Sequence, residues 1–256
     1  SSLSQLPAPP SKTNGTVGLL VMRSYVLSGD TDHYDAVIEA LEARGLRVIP
    51  AFASGLDARP AIESFHVQDG ECQIDALLSL TGFSLVGGPA FNDAKAAENQ
   101  LAELDVPYVS AQAIEFQTLE QWEDSGRGLL PVESTIMVAI PELDGATGPM
   151  VFGGRRASAE PVAPASRADA TPRDMRPLPE RVRMLANRIA KLVNLRTKPR
   201  AERKLAIVLF NFPPNGGAAG TAAHLSVFAS LHATLRRLAS EGWNVEVPPT
   251  IEALRQ

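Results

Sequence analysis

A single cysteine among 256 residues leaves no room for an intrachain disulfide framework or a multi-thiolate metal cluster. It fits a reducing compartment. That residue, Cys72, lies in the polar turn Asp69–Gln73 with no base nearby in sequence. No apolar run approaches the roughly 18 residues of a membrane helix. The segment Ser1–Thr16 lacks both the charged-then-apolar pattern of a signal peptide and an initiator Met. Positive charge is not in excess: the net charge of −5 argues against a nucleic-acid surface, which needs a basic domain or stripe. The four histidines are scattered. His224 and His232 share a helical pattern, but an eight-residue step separates them by about 12 Å, too far for one metal ion. No Ser–His–Asp order stands out.

The apolar fraction of 45 % is enough for a core, and 21 % charged residues is ordinary for a water-facing surface. The length allows one large or two ordinary domains. The stretch Lys204–Ser226 is the most organised. Leu205–Phe210 has the composition of a buried strand, Asn215–Gly220 forms a Gly-rich loop, and a helical pattern runs from Thr221 to about Glu241. Strand, loop and helix N-terminus together make an anion site in principle. Yet Gly220 is followed by Thr221 without the Walker Lys, and Asn215 stands where a dinucleotide fingerprint has its first Gly. A tight strand-to-helix turn is expected, with no nucleotide bound.

Taken in order, residues 1–15 read as a disordered lead-in. Val17–Arg23 is a strand, His33–Arg44 a helix capped by Asp32 and closed by Gly45, and Leu46–Phe52 a strand. Strand Ile74–Leu80, helix Ala94–Leu104 and strand Val106–Ser110 repeat the pattern. Phe116–Trp122 is a short helix, Pro131–Ala139 favours helix over strand, and Met150–Phe152 is a brief last strand. This alternation predicts an α/β fold, a doubly wound, mostly parallel open sheet of flavodoxin or Rossmann type, over residues 16–155. Ligands in such folds sit at the carboxyl ends of strands, here Arg23-Ser24, Ala53-Ser54-Gly55, Thr81-Gly82 and Ser110-Ala111-Gln112. Residues 156–179, rich in Ala, Pro, Arg and Ser, read as a linker without regular structure. From 180 to 256 a second α/β unit begins with an amphipathic helix Arg181–Leu195 and continues through strand Leu205–Phe210 to strand Trp243–Val247. The final helix from Ile251 spans less than two turns, too short to be stable alone, so the chain reads as a truncated piece of a longer polypeptide.

Three blocks, Val17–Asp57, Leu129–Arg155 and Phe210–Pro248, resemble the family of large porphyrin-binding chelatase subunits of magnesium chelatase and cobaltochelatase. The Leu129–Arg155 block is similar to the magnesium branch. The resemblance implies ATP-dependent insertion of Mg²⁺ into protoporphyrin IX for chlorophyll or bacteriochlorophyll synthesis. ATPase motor subunits are then separate partners, and this fragment alone is inactive. A cobaltochelatase fragment, or a docking module with no ligand of its own, remains an alternative.

Against that background Glu142 and Asp144 are candidates to hold Mg²⁺ or take porphyrin protons; the other reading is an Asp-Gly turn with Glu142 facing water. Arg155, beside Arg156, is a candidate for a porphyrin propionate, or else the basic start of the linker. His33 could meet a ligand at the strand mouth beside Arg23 and Asp30, or serve as a packing residue.

Overall fold

A computed structural model describes residues 13–53, 55–88, 91–157, 175–210 and 226–255. The chain divides into two compact units, Ser1–Arg196 and Thr197–Gln256.

The first unit is built on six strands: β1 (Thr16–Leu20), β2 (Arg47–Ala51), β3 (Ala76–Ser79), β4 (Tyr108–Ile114), β5 (Thr147–Arg155) and β6 (Met175–Pro177). They lie side by side in the order β6-β5-β4-β3-β1-β2. The first five are parallel, and β6 adds an antiparallel edge. This is the doubly wound architecture expected, with the flavodoxin strand order.

The two faces of the sheet follow from the two-residue period of strands. Val17, Leu19, Leu78, Val109 and Phe152 project to one side, where helices α2 (Asp32–Glu42) and α6 (Pro179–Thr197) cover them with Val37, Leu41, Leu185, Ile189 and Val193. Leu20, Ile49, Leu77 and Tyr108 project to the other side, onto α3 (Arg59–Phe65) and α4 (Ala94–Leu104) through Ile62, Ala97 and Leu104. Asp93 caps α4 by accepting the Ala96 amide at 2.9 Å. Thr118 and Gln121 form a reciprocal capping box on α5 (Leu119–Ser125). After α2, Gly45 takes the left-handed conformation, φ +74°, that a helix stop requires. Asp32 is the first residue of that helix, and Thr31 occupies the cap position.

Several expectations are corrected. The first strand ends at Leu20, and Arg23, expected at its end, instead opens helix α1 (Arg23–Ser28). The brief strand at 150–152 is the nine-residue β5, because its alternate residues Met150 and Phe152 reach the α2–α6 core. The segment Pro131–Leu143 is helical, as expected for Pro131–Ala139, and adds a π-type stretch at Ser134–Ala139. Residues 175–177, inside the expected linker, form β6, since Met175 is fully buried and its strand pairs with Gly153–Arg155. Residues 158–174 lie outside the described residues, as do 1–12. Helix α6, read as the start of the second unit, instead packs five buried side chains on the first sheet.

In the second unit a 3₁₀ turn (Arg200–Glu202) precedes a stretch without regular structure, followed among the described residues by α7 (Val227–Ser240) and α8 (Ile251–Arg255). Residues 205–210 and 243–247, both expected as strands, form no strand and join no ladder among the described residues; the Val245 amide instead donates back to the Trp243 carbonyl at 3.0 Å. The expected Gly loop Asn215–Gly220 and the helix start at Thr221 lie outside the described residues. No helix among the described residues is long and apolar enough to cross a membrane.

Candidate functional site

In a doubly wound sheet the crossovers leave the strands in opposite directions at one point, and the loops there part to open a crevice. Here that point lies between β1 and β3. A crevice of about 290 Å³ opens at the carboxyl ends of β1, β2 and β3. Its walls are mainly apolar, with Met22, Leu56, Phe83 and Leu85, and its polar groups are Arg23, Ser24, Ser79, Thr81 and Ser84. Ser79 Oγ and Thr81 Oγ1 lie 3.0 Å apart, and Thr81 Oγ1 accepts the Phe83 amide at 3.3 Å. One wall is fastened from outside. Asp144, 1 % exposed, accepts the Ser84 hydroxyl at 2.7 Å and the Leu85 amide at 2.8 Å through Oδ2. The Leu56–Ala58 segment joins the same loop, with the Ala58 amide donating to the Leu85 carbonyl at 3.0 Å and the Gly87 amide to the Leu56 carbonyl at 2.8 Å, and the hydrogen-bonded Arg59 guanidinium holds the Asp57 carboxyl below its usual range.

Three of the four strand ends named from sequence therefore meet: Arg23-Ser24, Ala53 with Gly55, and Thr81. The fourth does not, because β4 continues to Ile114. Gln112 is buried inside it, donating to the Met137 and Ser110 carbonyls at 3.0 and 3.1 Å. Ser54 lies outside the described residues. Phe83, Ser84 and Asp144's fastening role carry no sequence signal, since they depend on contacts across 60 residues.

Arg23 opens α1 as an exposed residue on the crevice rim. His33 is fully buried with its ring 3.8 Å from Tyr34, 5.3 Å from Tyr25 and 6.0 Å from Phe152 between centroids. Burial pushes its pKa down to about 4, with Asp32 opposing, so at neutral pH it is an uncharged packing ring. Arg155 ends β5 as an exposed residue. It acts on the Tyr25 hydroxyl, which burial and then the Glu115 carboxylate keep protonated. The two candidate metal carboxylates occupy different environments: Glu142 faces solvent, whereas Asp144 is buried and engaged with the loop after β3. Among the described residues no cluster of three or more His, Cys, Asp or Glu has the arrangement of a metal site.

Apolar side chains are also exposed after the carboxyl ends of the strands. Leu56 (56 % exposed) and Phe91 (71 %) follow β2 and β3, and Leu27 (65 %) lies on α1.

The model of the CobN/magnesium chelatase family matches residues 4–256. Over 96 % of this chain, 51 % of residues are identical to the magnesium-chelatase H subunit of Cereibacter sphaeroides, of which the match covers 21 %. Identity is 44 % to the chloroplastic magnesium-chelatase protein ChlH of Oryza sativa subsp. indica, over 93 % of the chain and 16 % of that protein. It is 31 % to the aerobic cobaltochelatase protein CobN of a Sinorhizobium species, over 93 % and 18 %. A solved structure, the catalytic subunit of cobaltochelatase from Mycobacterium tuberculosis, superposes with a TM-score of 0.72 at 24 % identity, over 98 % of this chain and 20 % of that one. The chain thus spans about a fifth of the length of the curated relatives it matches. With a family model covering nearly every residue and a shared α/β fold, this chain belongs to the CobN/magnesium chelatase family.

Proposed function

We propose that this chain is part of the large subunit of a magnesium chelatase, which inserts Mg²⁺ into protoporphyrin IX with ATPase subunits as partners. The observation that carries this reading is the identity gap, 51 % to a magnesium-chelatase large subunit against 31 % to a cobaltochelatase one. Within that subunit the switch-point crevice receives one edge of the macrocycle. Its volume lies at the lower limit of the roughly 300–1,000 Å³ range of small-molecule pockets, which suits an edge rather than a whole tetrapyrrole. Apolar walls suit the ring, and the Arg23 guanidinium suits a propionate. Metal insertion itself is left to other parts of the subunit, so this chain alone has no turnover. A second reading, a docking module without its own ligand, is favoured by the exposed Leu27, Leu56 and Phe91.

Protoporphyrin fluorescence quenching separates the two. The crevice reading expects the full-length subunit to bind protoporphyrin IX, and Arg23→Glu and Leu56→Asp each to weaken binding about tenfold, or 1.4 kcal/mol. Unchanged affinity in both variants, with lost activity in the assembled complex, supports docking instead. Turnover of a cobalt–corrin pair in place of Mg²⁺ and protoporphyrin would reassign the branch.

A further inference from the structure

A second cavity, of about 450 Å³, opens where the chain leaves β4. Its walls come from Phe116 and Gln117, from Gln121 and Ser125 on α5, and from the loop 127–130. It shares none of these residues with the crevice between β1 and β3. The volume lies inside the roughly 300–1,000 Å³ range of small-molecule pockets. The walls are fastened from beneath. Glu133, fully buried, accepts the Gln117 side-chain amide at 2.5 Å and the Leu130 backbone amide at 2.9 Å through Oε2. The same Gln117 amide donates to the Gly128 carbonyl at 3.3 Å. One buried carboxylate thus ties the segment after β4 to the far end of the loop.

Two side chains on these walls keep donors to spare. Gln121 Oε1 accepts the Thr118 amide at 2.9 Å, which leaves its NH₂ group to donate. The Arg127 guanidinium is exposed and pairs with no carboxylate among the described residues. Glu120, close to it in sequence, is engaged elsewhere, by the Arg156 guanidinium and the Ala157 amide. The backbone of Arg127 is held, its amide donating to Ser125 Oγ at 3.2 Å. Gly126 and Gly128 on either side have φ of +59° and +78°, a left-handed backbone open to glycine, and neither puts a side chain beside the guanidinium. The other contribution to the walls is apolar: Phe116 and Leu130 are 56 and 38 % exposed.

We propose that this cavity is a second ligand site, which binds a small molecule built of a carboxylate on a flat apolar body. The carboxylate takes two parallel N–H···O bonds from the planar Arg127 guanidinium and a third from the Gln121 amide. The body lies on the Phe116 ring, whose face prefers a flat partner, and against Leu130. A single cation balances a singly charged group, which favours a carboxylate over a phosphate. The inference is independent of which metal or tetrapyrrole the subunit handles.

Titration of the chain with 1-naphthoate, followed by NMR, tests it. A ligand of this size is expected to bind with a Kd of about 1 mM, and to shift the amides of Phe116, Gln121 and residues 126–130. The neutral 1-naphthamide should bind about tenfold more weakly, the loss expected when a charge-assisted pair is removed. Arg127→Gln should weaken 1-naphthoate by a similar factor and bring the acid and the amide to the same affinity. No binding at ten times the expected Kd would overturn the proposal. So would equal affinity for acid and amide in the unaltered chain, an affinity untouched by Arg127→Gln, or shifts centred on the crevice between β1 and β3. Arg127 is exposed, and the comparison of acid with amide decides without any variant.

Discussion

Two carboxylates two residues apart do different work. Asp144 holds the Ser84 hydroxyl and the Leu85 amide where both are buried, and a buried donor that loses its acceptor costs about 1–3 kcal/mol. Asp144→Ala is therefore expected to lower stability by ~2–4 kcal/mol in urea denaturation and to loosen the crevice wall. Glu142→Ala, on an exposed residue, should stay within about 0.5 kcal/mol. Equal effects of the two changes on metal insertion, with stability intact, would instead make them a functional pair. His33 carries the second expectation at this scale. Its pKa falls from 6.5 unfolded to about 4 folded because burial disfavours the charged ring. Above about pH 6.5 both states leave it neutral, and its contribution is complete. As pH falls from about 6.5 to about 4 the unfolded chain binds a proton that the folded one refuses, so about 3 kcal/mol is lost. His66, also buried and lowered, adds to the slope in the same direction. His33→Phe should flatten part of the pH dependence of the unfolding free energy; an unchanged slope would count against the assignment.

Among the elements, those legible in the sequence are the ones whose pattern is local. Strands β1, β2 and β3 show as apolar runs, and α4 as an amphipathic repeat after a capping Asp93. From their alternation follow the parallel sheet and the strand ends that meet at the crevice. What the sequence hides depends on distant partners. Three residues, Met175–Pro177, carry no strand signal beside an Ala/Pro-rich tract, and they become β6 because β5 offers an open edge. That edge accommodates little: a Cβ added to Gly154 would lie 2.8 Å from the Ile114 carbonyl oxygen, and one on Gly153 2.5 Å from that of Arg176. The Gly-Gly pair, which lies beyond the strand end expected at Phe152, is thus part of β5 between two close backbones. The converse error is 205–210, where composition says strand and the described chain supplies no sheet to join. His33 is hidden for a similar reason. Its neighbour Phe152 lies far along the chain, so the sequence cannot separate a ligand at the strand mouth from a ring packed in the core.

At the scale of the whole molecule, the boundary between the two units decides which pieces can fold. Read from composition, the first domain ends near residue 155. In the structure its core needs Met175 from β6 and Val182, Leu185, Ile189 and Val193 from α6, each at most 4 % exposed. Full burial of such side chains contributes roughly 1.5–3 kcal/mol apiece, together of order 10 kcal/mol. That is as large as the entire stability of a typical domain, about 5–15 kcal/mol. A chain ended after Ala157 would also expose the face of β1, β3, β4 and β5 that α6 covers. It is therefore expected to remain unfolded or to aggregate. A chain ended after Thr197 keeps the whole core and should unfold cooperatively, with a midpoint within a few degrees of the first unit's transition in the parent chain. Circular dichroism with thermal melting checks both. A cooperative transition in the shorter piece would mean that α6 merely rests on the sheet, and would return the boundary to the one that composition suggests.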